Sequence, residues 1–191
     1  METIQSVLNF GNVLSKQHIP YVMWSGNEVV SNDILYCESI PSIQTMKHYG
    51  VNCAGFINIL RHYAGRIIPE SPDSNFIIRG GTLFWYHYFE KKGLLDVFDY
   101  TKEYPIGTLF IRNYNNNRDQ GHLSVLIEQS EKDPKKTLHG KIVHSYQSHD
   151  SAHGGEIGIT NLGMSHFSMV NEDGSGYYTH VVYPEKWILE D

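Results

Sequence analysis

The stretch "NCAGFINILRHYAG", Asn52–Gly65, puts a cysteine at the head of an apolar-striped segment. Phe56, Ile57, Leu60 and Ala64 recur at the spacing of one helical face. Counting back by three and four residues places Cys53 on that face, in the first turn. Gly65 stands where a helix stops, and Arg61 and His62 occupy the last turns, where cations suit the helix dipole. Two readings of Cys53 compete. One is a small apolar thiol filling core space. The other is a nucleophile, because the free N–H groups and partial positive charge of a helix N-terminus favour thiolate over thiol.

The segments around this helix set the architecture. Residues 3–17 read as a helix with Ile4, Val7, Leu8, Val13 and Leu14 as its buried stripe, weakened by Gly11. Residues 31–49 are weakly patterned and read as loop, with Pro41 as a breaker. "TLFWYHYFEKKG", Thr82–Gly93, reads as a short helix whose aromatics form core or one wall of a cleft. The pattern then switches to strands: "GTLFIRNY", "HLSVLIEQ", "KIVHSYQ", "GEIGITNL" and "YYTHVVYP". Helices followed by an antiparallel run of about five strands predict an α+β fold, with N-terminal helices packed on a sheet or small open barrel. The 191 residues suit a single domain over 1–191.

Composition narrows the function classes. The formal net charge is −6 and no basic run reaches five residues, which argues against a dedicated nucleic-acid binder. The start, "METIQSVLNFGNVLSKQ", has neither the basic opening nor the continuous apolar core of a signal peptide. No run approaches the roughly eighteen apolar residues of a membrane span. A soluble, cytoplasmic protein is therefore expected. Two cysteines, Cys37 and Cys53, point to a reducing setting; a disulfide between them is the alternative, and it would disable thiol chemistry at Cys53.

A cysteine nucleophile needs a base within hydrogen-bond reach, and the base needs an orienting group. Among eleven histidines, His122 is the best placed, at the start of a strand directly after Gly121. His144 is next, inside "KIVHSYQ", where a hairpin would bring it to a strand neighbouring that of His122.

With those residues in view, the chain resembles the NlpC-type cysteine peptidases, a papain-like group. "IPYVMWSG", "NCAGFINILRHYAG", "IGTLFI", "GHLSVLI" and "KIVHSYQ" follow one another in the order of that family's motifs, from about residue 4 to residue 147. The resemblance implies a papain-like fold and a thiol hydrolase that cleaves an amide bond, peptide or isopeptide, through an acyl-enzyme. It implies Cys53 as nucleophile, His122 as base and His144 as the polar residue orienting the imidazole. Tyr21 falls on the family's Pro-Tyr tyrosine, close to the nucleophile. Asn52 stands for the usual Asp, Ala54 for Ser, Ser25 for Gly and Thr108 for the Asp of Gly-Asp-Leu. Asn52, Ala54 and Ser25 are expected to line the cleft, so these departures bear on substrate preference. No cofactor is implied, and the partner is a peptide or other amide-containing substrate.

His139, His144, His149 and His153 cluster, but their spacing fits no standard zinc site, and a polar loop is the simpler reading. "SAHGGEIG" and "NEDGSGYY" read as turns, since neither carries the Gly-Lys-Ser/Thr of a phosphate loop or the ligand spacing of an EF-hand. Two other functions share the residue set. One is an acyltransferase or thiolesterase of related fold; the other is a catalytically silent module that holds a peptide without cutting it.

Overall fold

The structure, a computed structural model, describes residues 2–22, 39–68, 81–99, 101–112, 121–130, 139–146, 154–162 and 178–190. Cys37, Ser25, His149, His153 and most of the expected loops lie outside the described residues.

Among the described residues four helices come first. Helix α1, Ile4–Leu14, begins at a reciprocal cap in which the Thr3 side chain accepts the Ser6 N–H at 3.1 Å and Ser6 Oγ accepts the Thr3 N–H at 2.9 Å. It buries Val7, Leu8 and Leu14, while Val13, expected in the same stripe, is 49% exposed. Gly11 is buried where α1 crosses Leu60, Phe56 and Val143. The stretch expected to be wholly loop contains α2, Ile43–Tyr49. Ser42 caps it by accepting the Thr45 N–H, and Gly50, at φ +74°, ends it. At seven residues with only Met46 buried, α2 is too short to show a helical period. Helix α3, Cys53–Tyr63, is buried along most of its length, and α4, Thr82–Lys92, follows.

Six strands form one open antiparallel sheet in the order β1-β6-β2-β3-β4-β5. They are β1 Asp96–Val97, β2 Leu109–Arg112, β3 His122–Glu128, β4 Lys141–Tyr146, β5 Glu156–Asn161 and β6 His180–Val182. The expectation of about five strands missed β1, whose two exposed residues carry no periodic signal. A five-residue π-helical turn, Glu185–Leu189, also lay outside the expected elements. It buries Trp187, whose Nε1–H donates to Gly107 O at 2.7 Å.

Both faces of the sheet are covered, which is why the central strands read as continuous apolar runs rather than clean alternations. Leu109, Ile111, Leu123, Val125, Val143 and Val182 join the main core, with Val7, Phe56, Ile57, Leu60, Trp85 and Trp187 from the helices and the C-terminal turn. Alternation sends Phe110, Leu126, Ile142 and Val181 to the opposite face, where they pack with Tyr104, Leu162 and Tyr178. Helix α4 divides its aromatics. Phe84, Trp85 and Phe89 are buried, and Trp85 Nε1–H donates to Asn58 Oδ1 at 2.8 Å, so Trp85 is a core residue rather than a cleft wall. Tyr88 also turns away from a cleft, toward the buried Arg61 guanidinium and the Lys92 amine. No helix among the described residues is long and apolar enough to cross a membrane.

Candidate active site

Cys53 opens α3 because Asn52 caps the helix: Asn52 Oδ1 accepts the Gly55 N–H at 2.6 Å. The loop before it is anchored to β4, where Ser145 Oγ donates to Val51 O at 2.5 Å. These contacts aim the first turn of α3 at the ends of β3 and β4.

There the two strands part. Their pairing runs from Val125↔Val143 toward Glu128↔Lys141, and the register on the His122 side of that pair is not continued among the described residues. The Leu126 N–H goes to Thr108 O, just before β2, so strict alternation turns the N–H groups of Val125 and Leu123 toward β4. At the open end, the Leu123 N–H meets the Cys53 sulfur instead of a carbonyl. The Thr82 hydroxyl at the head of α4 and the Ala54 N–H also hydrogen-bond the sulfur. Among the described residues Cys53 is a free thiol, and Cys37, its partner in the disulfide alternative, lies outside them.

The two histidines lie on adjacent strands. His122 Nε2 and His144 Nδ1 are 2.8 Å apart, and His144 Nε2 is 2.9 Å from Thr160 Oγ1 on β5. Tyr146 stacks on His144 with ring centroids 4.6 Å apart and planes 17° apart. Gly158, directly across β4–β5 from His144, leaves room for that ring, since a Cβ there would stand 3.0 Å from Tyr146 Cε1. The His122 ring shares its sheet face with Tyr178, whose hydroxyl accepts from Ser124 Oγ at 2.8 Å.

Arg112 is the cation of the site. It ends β2 directly across from His122, and opposed residues of an antiparallel pair project to the same face. Its positive charge lowers the pKa of Cys53, Tyr21 and His122 alike. Tyr21 is half-buried at the site, and its N–H donates to Gly155 O at 2.9 Å. Burial raises the Tyr21 phenol well above its ordinary value, the neighbouring Cys53 raises it further, and Arg112 opposes both.

The same electrostatics correct the thiolate expectation. Burial raises the Cys53 thiol above its ordinary value, and the three hydrogen bonds and Arg112 offset this only in part. His122 is held well below 6.5, first by burial and then by His144 and Arg112. Burial alone takes His144 down to about 3. Burial thus favours the neutral thiol at Cys53 and the neutral imidazole at both histidines.

Asn52 and Ala54, expected to line a cleft, have structural parts in the helix. The Asn52 side chain is occupied as a cap, and the Ala54 methyl turns into the core. No group of three metal-ligating side chains forms among the described residues, where His144 is engaged by His122 and Thr160. Three residues of the site escaped the sequence reading. Arg112 carried a signal, a lone charge ending the apolar run "LFI"; Thr82 and Thr160 carried none beyond their place in a helix and a strand.

No family model matches the sequence, and no curated protein matches it. Among solved structures, the chain is similar to a wild type endolysin, LysIME-EF1, with 14% identity and a TM-score of 0.45 over 96% of this chain. The match spans 65% of the endolysin chain, less than two thirds of it. At that level of likeness, the chemistry rests on this chain's own residues.

Proposed function

We propose that this chain is a thiol hydrolase of the papain-like, NlpC type that cleaves an amide bond, peptide or isopeptide, through an acyl-enzyme on Cys53. The observation that carries the reading is the 2.8 Å contact between His122 Nε2 and His144 Nδ1, at the strand end whose next N–H, that of Leu123, meets the Cys53 sulfur. With Nε2 turned to His144, Nδ1 is the His122 nitrogen assigned to the thiol.

Because thiol and imidazole rest neutral, proton transfer accompanies attack rather than preceding it. The Cys53 sulfur adds to the carbonyl carbon as its proton passes to His122, and the carbonyl π pair moves onto oxygen. The Cys53 N–H, in the first turn of α3 where backbone donors have no intrahelical acceptor, is assigned to that oxyanion; such a donor is typically worth about 3 kcal/mol. Collapse expels the amine, which takes the proton from His122, and leaves a thioester. Water then gives a proton to His122 and adds to the thioester, which breaks to the acid while His122 returns the proton to sulfur. Arg112 steadies the negative charge that develops on the sulfur as its proton leaves.

The test is the alkylation rate of Cys53 by iodoacetamide at pH 7, read by peptide mass spectrometry with Cys37 as internal control. A peptide-amide hydrolysis screen with Cys53→Ala and His122→Ala accompanies it. The reading expects Cys53 to label faster than in His122→Ala, and any hydrolysis found to vanish in both variants. Labelling indifferent to His122, with peptide binding but no cleavage, would instead make the protein a binding module.

A further inference from the structure

Val51, two residues before the thiol, is held through both of its backbone polar groups. Its N–H donates to Pro20 O at 2.9 Å, and its carbonyl accepts from Ser145 Oγ at 2.5 Å. We propose that Ser145 is a positioning residue: by holding the Val51 carbonyl it sets where the Cys53 thiol stands against the strands that carry the histidines. This rests on the reading of Cys53 as nucleophile and His122 as its base.

His144 and Ser145 are successive residues of β4, so their side chains leave the sheet on opposite faces. His144 shares the face of Ile142 and meets His122 there. Ser145 shares the face of Val143, which packs with Phe56 and Ile57 of α3. One strand thus holds the His122 ring on one side and the loop of the nucleophile on the other. The hold closes a circuit. Ile157 lies across from Ser145 on β5, and its N–H donates to Ile19 O at 2.9 Å. The Tyr21 N–H donates to Gly155 O at 2.9 Å, so residues 19–21 run along the edge of β5 and carry Pro20 O to the Val51 N–H. Gly50, at φ +74°, lets the loop approach that closely, since a Cβ there would overlap Val22 Cγ2 and stand 3.0 Å from Pro20 O.

Val51 and Ser145 are both fully buried, so solvent is not at hand to replace the hydroxyl. Without it the Val51 carbonyl loses its donor inside the core and moves to find another. Only Asn52, the cap of α3, separates Val51 from Cys53, so the shift passes straight into the first turn of the helix. There the sulfur meets the Leu123 N–H at the open end of β3, and that contact is the first to change. A displacement of about 1 Å costs about a hundredfold in a step that depends on alignment. Ser145 faces away from the histidines, so its removal leaves their 2.8 Å contact in place.

The test uses two variants of the full chain, each checked by urea unfolding to be folded. Ser145→Ala removes the donor; Ser145→Thr keeps it at a strand position that suits a β-branched residue. Two readouts are taken. One is the amide ¹H–¹⁵N signal of Leu123. The other is the factor by which His122→Ala slows iodoacetamide labelling of Cys53, measured in each background as a double-mutant cycle. In Ser145→Ala the Leu123 signal should move and the His122 factor should shrink about three- to tenfold, the scale of one lost hydrogen bond. Both should return in Ser145→Thr. A merely structural role would lower the urea midpoint and leave both readouts alone. A Leu123 signal unmoved in Ser145→Ala overturns the proposal, as does a parent His122 factor that survives there undiminished. A Leu123 signal that moves and returns as expected, in a protein whose labelling is indifferent to His122 from the start, upholds the role of Ser145 and overturns the hydrolase reading instead.

Discussion

Burying two neutral histidines makes the fold sensitive to acid, and His144 sets a number on it. In the unfolded chain its imidazole binds a proton near pH 6.5; in the folded protein burial delays this to about 3. Between those values unfolding takes up a proton, so stability present above 6.5 is lost as the pH falls toward 3. Each pH unit in that window costs about 1.4 kcal/mol per such group, which amounts to about 2 kcal/mol for His144 between pH 7 and pH 5. His144→Asn removes the titrating ring and keeps a polar group for His122. Urea unfolding followed by fluorescence at pH 7, 6 and 5 gives the comparison. With a urea slope of about 1–3 kcal/mol per molar, the parent midpoint should drop by about 1 M more than the variant's between pH 7 and pH 5. His122, present in both proteins, contributes to both slopes. Parallel pH dependences in parent and variant would refute the claim that His144 is buried and neutral.

Three further outcomes follow from other contacts. Arg112→Gln removes a charge that lowers both Cys53 and His122, so the Cys53 alkylation profile should move to higher pH and the His122 ring titration should rise with it; unmoved profiles would remove Arg112 from the site. Asn52→Ala deletes the α3 cap and should cost about 1 kcal/mol in chemical denaturation, with most of that recovered in Asn52→Asp. Gly107 sits at φ +93°, and a Cβ there would stand 2.8 Å from Pro184 Cβ and 3.1 Å from Ile4 Cγ2. Gly107→Ala should therefore lower the melting temperature by several degrees; an unchanged value would mean the C-terminal turn yields freely.

The parts of this fold that could be read in advance are those with a repeating physical signature. The apolar period of α3 and the β-branched runs of β2 to β6 locate themselves because each buries enough residues for the pattern to recur. Helix α2 and strand β1 bury one residue and none, so nothing periodic marks them. The site divides in the same way. Cys53 and the two histidines stand out by residue type and by position at element starts or inside strands. Arg112, Thr82 and Thr160 become neighbours of that set only through cross-strand register and the docking of α4, which no single segment encodes. The thiolate expectation changed for a related reason: the helix N-terminus is a local feature, whereas desolvation depends on everything packed around the sulfur.

The order of these residues along the chain has a consequence during synthesis. Cys53 precedes His122, and Thr160 comes about a hundred residues after Cys53. At roughly 5–20 residues per second, the ribosome exposes the cysteine several seconds before the last link of its histidine chain exists. Through that interval the thiol has no Leu123 N–H beside it and no paired imidazoles. Until β3 and β4 have come together the thiol keeps the ordinary ionisation of an unburied cysteine, and only the folded sheet gives it the buried surroundings that hold it neutral.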